Sequence, residues 1–149
     1  MSLKVGDKAP DFTLTADNGK PYQLSKNIKD KVLLVFYPGD GTPVCTAQLC
    51  EYRDGLDEFK SLGVDVVGIS ANDSKSHKKF KKDQNLPFPL LTDEGGKVAE
   101  EFGAKGWFGI KRAVFLVDKN MNVKYAHVEP VSVFRRSLTE LTEAIKRCA

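Results

Sequence analysis

Apolar residues along this chain occur with two different periods. Val32-Leu33-Leu34-Val35-Phe36-Tyr37 is continuously apolar, and Val64-Asp65-Val66-Val67-Gly68-Ile69 is nearly so. Short runs rich in branched and aromatic residues predict strands at the centre of a sheet, the first buried on both faces. Residues 112–117 predict another strand, Lys119-Asn120-Met121-Asn122 a turn, and residues 123–128 an antiparallel return. Two shorter strands, 12–15 and 22–24, flank Asn18-Gly19 and so predict a hairpin. A piece at 88–91 is a further short strand, limited by Pro87 and Pro89, which donate no ladder bond.

Elsewhere the period is helical. Leu49, Tyr52, Leu56 and Phe59 form one stripe, predicting a helix that opens at Pro43 and runs to about Leu62. Thr42 is a suitable N-cap, Pro43 suits the first turn, and Gly63 marks the stop. A helix over 74–85 turns Phe80 inward and its lysines outward, and a short one around 98–102 ends at Gly103. The last helix carries Phe134, Leu138, Leu141 and Ile145 on one face. Strands alternating with helices, plus a hairpin, predict an α/β fold: a central mixed sheet flanked by helices.

Composition narrows the function classes. The chain has 149 residues, 41% hydrophobic and 29% charged, which fits one globular domain over 1–149. A net charge of +3 is too small to imply nucleic acid or an anionic membrane. Lys75, Lys78, Lys79, Lys81 and Lys82 read as a solvated helix face, since no Gly-rich phosphate loop or aromatic-interleaved basic patch accompanies them. No apolar run reaches membrane-spanning length. The opening Met-Ser-Leu-Lys-Val-Gly-Asp-Lys lacks a signal-peptide core, so a cytoplasmic protein is expected. There a disulfide is catalytic or redox-sensing more often than structural.

The candidate chemistry lies in Pro38-Gly39-Asp40-Gly41-Thr42-Pro43-Val44-Cys45-Thr46-Ala47-Gln48-Leu49-Cys50. A helix N-terminus presents unpaired N–H groups and partial positive charge, which favour a thiolate, the nucleophilic form of cysteine. Cys45 falls within the Leu49/Tyr52/Leu56/Phe59 arc and is expected to face the sheet. Cys50 lies about 140° around the helix and roughly 7.5 Å further along it. Two sulfurs so placed cannot bond while the helix is intact, so a Cys45–Cys50 disulfide requires its first turns to unwind. A buried cysteine is often only a small hydrophobe. The strand–turn–helix context and the second thiol argue against that here. Zinc is disfavoured because His77 and His127 fit no ligand spacing; both read as ordinary surface or core residues. No metal is expected.

Pro38-x-x-x-Thr42-x-x-Cys45 resembles the active-site signature of the peroxiredoxins, and Cys50 five residues on resembles the bacterioferritin comigratory protein / peroxiredoxin Q subgroup. Gly6-Asp7-Lys8-Ala9-Pro10-Asp11-Phe12, Leu90-Leu91-Thr92-Asp93 and Arg112-Ala113-Val114-Phe115-Leu116-Val117-Asp118 are similar to further segments of the family. The resemblance implies a thioredoxin-like fold and thiol-dependent reduction of hydroperoxides. It makes Cys45 the peroxidatic nucleophile and Cys50 the resolving cysteine, paired with it in an intramolecular disulfide. Thr42 would bond the peroxide, and Arg112 would hold the thiolate and orient the substrate. Pro38 would shield the pocket, which Pro43 and Val44 also line, and Gln48 would support Arg112. No cofactor is implied. Thioredoxin or a similar thiol donor is the expected reductant, and a monomer or weak dimer the expected state. A thiol–disulfide exchanger without peroxidase activity is the alternative. The segment 103–111 is shorter than in many subgroup members, and its Trp107 and Phe108 form either a partner patch or packing on the site rim. Cys148 reads as an exposed thiol at a helix end.

Overall fold

The computed structural model describes residues 3–107, 109–129 and 135–147. β1 (Thr13–Ala16) and β2 (Pro21–Gln23) form the expected hairpin, and Leu24 begins a single-turn helix, α1 (Leu24–Asn27). β3 (Lys31–Phe36) leads through a loop into α2 (Pro43–Asp54), followed by α3 (Leu56–Ser61) and β4 (Val64–Ser70). α4 (Ser74–Gln84), β5 (Leu90–Thr92), a 3-10 turn at Glu94–Gly96 and α5 (Lys97–Glu101) follow. A small hairpin, β6 (Lys105–Gly106) with β7 (Gly109–Ile110), precedes β8 (Ala113–Asp118), β9 (Val123–Val128) and α6 (Leu138–Arg147).

Seven strands make one mixed sheet in the order β2-β1-β5-β4-β3-β8-β9. β3, β4 and β5 run parallel, and β8 pairs antiparallel with both β3 and β9. Along β3 the side chains alternate between two cores. Val32, Leu34 and Phe36 join Phe12, Leu24, Phe102 and Phe115 on one face. Leu33, Val35 and Tyr37 join Leu49, Tyr52, Phe59, Phe80, Leu141 and Ile145, from α2, α3, α4 and α6, on the other. Cys45 belongs to this second core. The period-2 alternation of a strand thus explains why the run 32–37 is apolar throughout: both of its faces are covered.

The predicted helix to Leu62 is two helices. It breaks at Gly55, where a Cβ would lie 2.3 Å from Leu138 Cδ2 and 2.6 Å from its Cδ1. Glycine is itself a poor helix former, and the close approach of Leu138 at the start of α6 leaves no room for a side chain there. β5 begins only after Pro89, so neither proline has to donate to the ladder. The hairpin of β6 and β7 has no hydrophobic period to announce it. Its tip carries Trp107, fully exposed, so this side chain does not pack on a site rim. Phe108, Phe134 and Cys148 lie outside the described residues. Among those described, no helix is long and apolar enough to cross a membrane.

Candidate active site

Register brings the site together. Ala113 of β8 stands opposite Phe36 of β3, so Arg112 lies beside the end of the strand that feeds α2. Cys45 is the third residue of that helix, after Thr42 at the N-cap and Pro43 at the first position. The first carbonyl-closed turn is Thr46 N–H to Thr42 O at 2.8 Å, so helix geometry itself leaves the amides of Val44 and Cys45 without an intrahelical acceptor. Cys45 is wholly buried, as its place in the apolar stripe predicts.

Arg112, 3% exposed, forks between two partners on α2. Nη2 donates to Cys45 Sγ at 3.3 Å and Nη1 to Gln48 Oε1 at 2.7 Å. Because the guanidinium only donates, Gln48 has to present its oxygen and turn its Nε2 away. That Nε2 donates to Tyr52 Oη at 3.1 Å, and Tyr52 Oη donates to the carbonyl of Arg136 at 2.5 Å. Burial pushes the Tyr52 phenol far above its ordinary value, so this donor keeps its proton. The chain of bonds continues. Arg136 Nη2 lies 3.0 Å from His127 Nδ1, and His127 Nε2 lies 2.8 Å from Glu129 Oε2. Glu129 N–H then donates to Arg112 O at 2.9 Å, closing the ring. Arg136 offers only N–H groups, so His127 accepts at Nδ1 and carries its proton at Nε2.

A second set of bonds anchors the loop before Cys45. The Asp40 side chain is 5% exposed and sits 2.8 Å from Nδ1 of the wholly buried His77. It also accepts from Tyr37 Oη at 2.6 Å and Ser76 Oγ at 2.8 Å. Burial opposes the Asp40 charge, but bonds from His77 and Tyr37 outweigh it and hold the carboxyl below the ordinary range. His77 Nε2 meets Leu91 O at 3.0 Å. This histidine is thus a structural member of the loop's anchor, and His127 a distant member of the Arg112 ring.

The sequence-predicted residues divide accordingly. Cys45, Gln48 and Arg112 form one buried cluster. Pro38, Thr42 and Pro43 are exposed, and Val44 is half-buried. Thr42 is the N-cap residue as expected, but its hydroxyl donates to Gly39 O at 3.2 Å and makes no side-chain capping bond. Cys50 is half-buried on another side of the intact α2, where Sγ contacts Gln84 Oε1 at 3.4 Å. Sequence reasoning missed Asp40 and Gln84 and read Tyr52 only as a core residue. Asp40 had a local signal, a carboxylate in the loop before the thiol. Gln84, 34 positions from Cys50, had none.

Comparisons with known proteins bear on the family of the chain. Residues 5–126 match the model of the AhpC/TSA family. The chain is 46% identical over 128 residues to peroxiredoxin Q, chloroplastic, of rice (Oryza sativa subsp. japonica), covering 84% of this chain and 59% of that protein. It is 39% identical over 127 residues to peroxiredoxin Bcp of Bacillus subtilis, covering 80% of this chain and 81% of that one. The crystal structure of peroxidoxin BcpB from Mycobacterium tuberculosis superposes with a TM-score of 0.86 at 33% identity, covering 98% and 96% of the two chains. The chain spans about three fifths of the rice protein's length. Its thioredoxin-like mixed sheet, its buried Cys45–Arg112 contact and these likenesses place the chain in the AhpC/TSA family, among the peroxiredoxin Q and Bcp proteins.

Proposed function

We propose that this chain is a thiol-dependent peroxidase that reduces hydroperoxides at Cys45. The observation that carries the reading is the Arg112 fork: one guanidinium bonds the buried sulfur of Cys45 at 3.3 Å and Gln48 at 2.7 Å. A lone structural cysteine needs no cation at its sulfur. A thiolate that attacks an O–O bond does, because negative charge passes from sulfur to the leaving oxygen and donors fixed along that line stabilise it.

In this mechanism the Cys45 thiolate attacks the outer peroxide oxygen. The S–O bond forms as the O–O bond breaks, and the other oxygen leaves as water or an alcohol after taking a proton. Arg112 and the first-turn amides of α2 face the developing charge. Thr42, exposed beside that turn, is positioned to exchange its Gly39 bond for one to the peroxide. Pro38, Pro43 and Val44 bound the approach. Cys45 is left as a sulfenic acid. Cys50 then condenses with it, losing water and forming the Cys45–Cys50 disulfide. An external dithiol, thioredoxin or a similar donor in a cytoplasmic setting, reduces that disulfide by exchange. Sequestration of Cys45 from solvent argues against the rival thiol–disulfide exchanger, whose attacking sulfur has to meet a protein disulfide directly.

The test is mass spectrometry of the reduced protein after one equivalent of hydrogen peroxide, beside Cys45→Ser and Cys50→Ser. Loss of two hydrogens mapped to Cys45–Cys50, absent in both variants, is the expected result, with a trapped sulfenic acid at Cys45 in Cys50→Ser. A Cys45 inert to peroxide over seconds overturns the proposal.

A further inference from the structure

α4 clasps the α2 region at two points. At its start, Ser76 and His77 bond Asp40, and at its end Gln84 meets Cys50 and Arg53. Between the two clasps lies a cleft of about 400 Å³ bordered by Thr46, Lys79, Phe80 and Asp83. The first clasp is a buried ionic cluster. The second is lighter: Arg53 Nη1 donates to Gln84 O at 2.5 Å, and the Cys50 thiol meets Gln84 Oε1 at 3.4 Å. Gln84 is half-buried at the last position of α4, where Asn85 turns into the left-handed region at φ 53°.

We infer that Gln84 is a positioning residue that retains the Cys50 thiol against α4, so that its release governs how fast the disulfide forms. The inference rests on the reading of Cys50 as the resolving cysteine. Cys45 faces the sheet and Cys50 faces the end of α4, so Cys50 has to leave Gln84 before the two sulfurs converge. In the step itself Cys50 loses its S–H proton and its sulfur bonds Cys45 Sγ. The sulfenic oxygen departs as water, with Cys50 oxidised and Cys45 reduced. Only the protonated thiol donates to Oε1, so breaking this contact precedes the attack. A slow release leaves the sulfenic acid open to a second peroxide, which carries Cys45 to the sulfinic acid.

Two substitutions separate this role from a general effect on the helix end. Gln84→Ala removes the acceptor and is expected to speed disulfide formation about five-fold, the scale of one neutral hydrogen bond. It should also lower the sulfinic fraction at excess peroxide. Gln84→Glu keeps an acceptor, strengthens it by charge and places a like charge beside the departing thiolate, so it is expected to slow the step about five-fold. Loosening of α4 would move both variants the same way. The readout is rapid quench, alkylation and mass spectrometry after one equivalent of hydrogen peroxide. In a Cys50→Ser background, sulfenic acid formation should be unchanged by either substitution. Equal rates in all three proteins, or a shift of both variants in one direction, overturn the assignment to Gln84. If the parent protein forms no Cys45–Cys50 disulfide at all, the resolving role of Cys50 fails and the inference fails with it.

Discussion

Tyr52→Phe removes one oxygen atom from the ring of bonds behind Arg112. The aromatic ring stays, with its edge-on packing on Phe59 at 5.8 Å between centroids and 89° between planes. The substitution therefore isolates the hydroxyl. In the parent protein that hydroxyl accepts from Gln48 Nε2 at 3.1 Å and donates to Arg136 O at 2.5 Å. Gln48 is fully buried, so its N–H group is left unpaired at a cost of about 1–3 kcal/mol. The Arg136 carbonyl lies nearer the surface and recovers part of its loss through water. A total near 2 kcal/mol is expected. At about 2–4 °C per kcal/mol for a domain of this size, that lowers the melting temperature by roughly 4–8 °C. The second consequence is functional. Gln48 loses the bond that turns its oxygen toward Arg112, and the guanidinium loses its fixed orientation toward Cys45. A fall of about ten-fold in the second-order rate of Cys45 with hydrogen peroxide, or about 1.4 kcal/mol, is expected. Thermal unfolding and stopped-flow peroxide consumption measure the two effects on the same samples. A melting temperature within about 1 °C of the parent's, together with an unchanged peroxide rate, would refute the view that this hydroxyl supports the site.

Arg112→Lys should slow the peroxide reaction about 100-fold at unchanged fold, because one ammonium cannot occupy both tines of the fork; a loss below five-fold in single-turnover kinetics would contradict that. Asp40→Asn tests the loop anchor by pH. The folded carboxyl titrates below its ordinary value of 3.8, so its stabilisation is present above that value and vanishes as acid titrates the folded protein. The variant should lose about 1–2 kcal/mol in urea unfolding at pH 6, and the gap should narrow toward pH 3; a gap constant with pH would count against the anchor. Gly55→Ala should cost about 1 kcal/mol, since its Cβ meets Leu138 Cδ2 at 2.3 Å and the Leu138 side chain has to shift, which denaturant midpoints would report. Oxidation to the Cys45–Cys50 disulfide should expose the amides of the first turns of α2 to hydrogen exchange, and undiminished protection there would show that the helix does not unwind.

The elements were legible wherever a local period or a terminator decided them. The apolar run 32–37 appears as β3, the Asn18-Gly19 turn joins β1 to β2, and Asp73 and Asn85 bracket α4 close to the expected residues. Helical spacing alone also turned Cys45 inward and separated it from Cys50. The α/β class follows from such information, because turn chemistry and side-chain period are properties of neighbouring residues, whereas the Pro38-x-x-x-Thr42-x-x-Cys45 motif is legible as a resemblance to a family. What only the tertiary structure decided are relations between distant ones. Gly55 is a local weak point for a helix, but that Leu138, 83 positions away, leaves no room for a side chain there is recorded nowhere near it. Arg112 reaches Cys45 only because β8 pairs with β3 in one particular register. Tyr52 reads as one more apolar position until the Arg136 carbonyl arrives to accept its hydrogen bond, and Gln84 reads as a helix end until α2 lays Cys50 against it. A hydrogen bond needs its two atoms within about 3 Å and suitably aimed, and only the packed sheet and helices bring such pairs together.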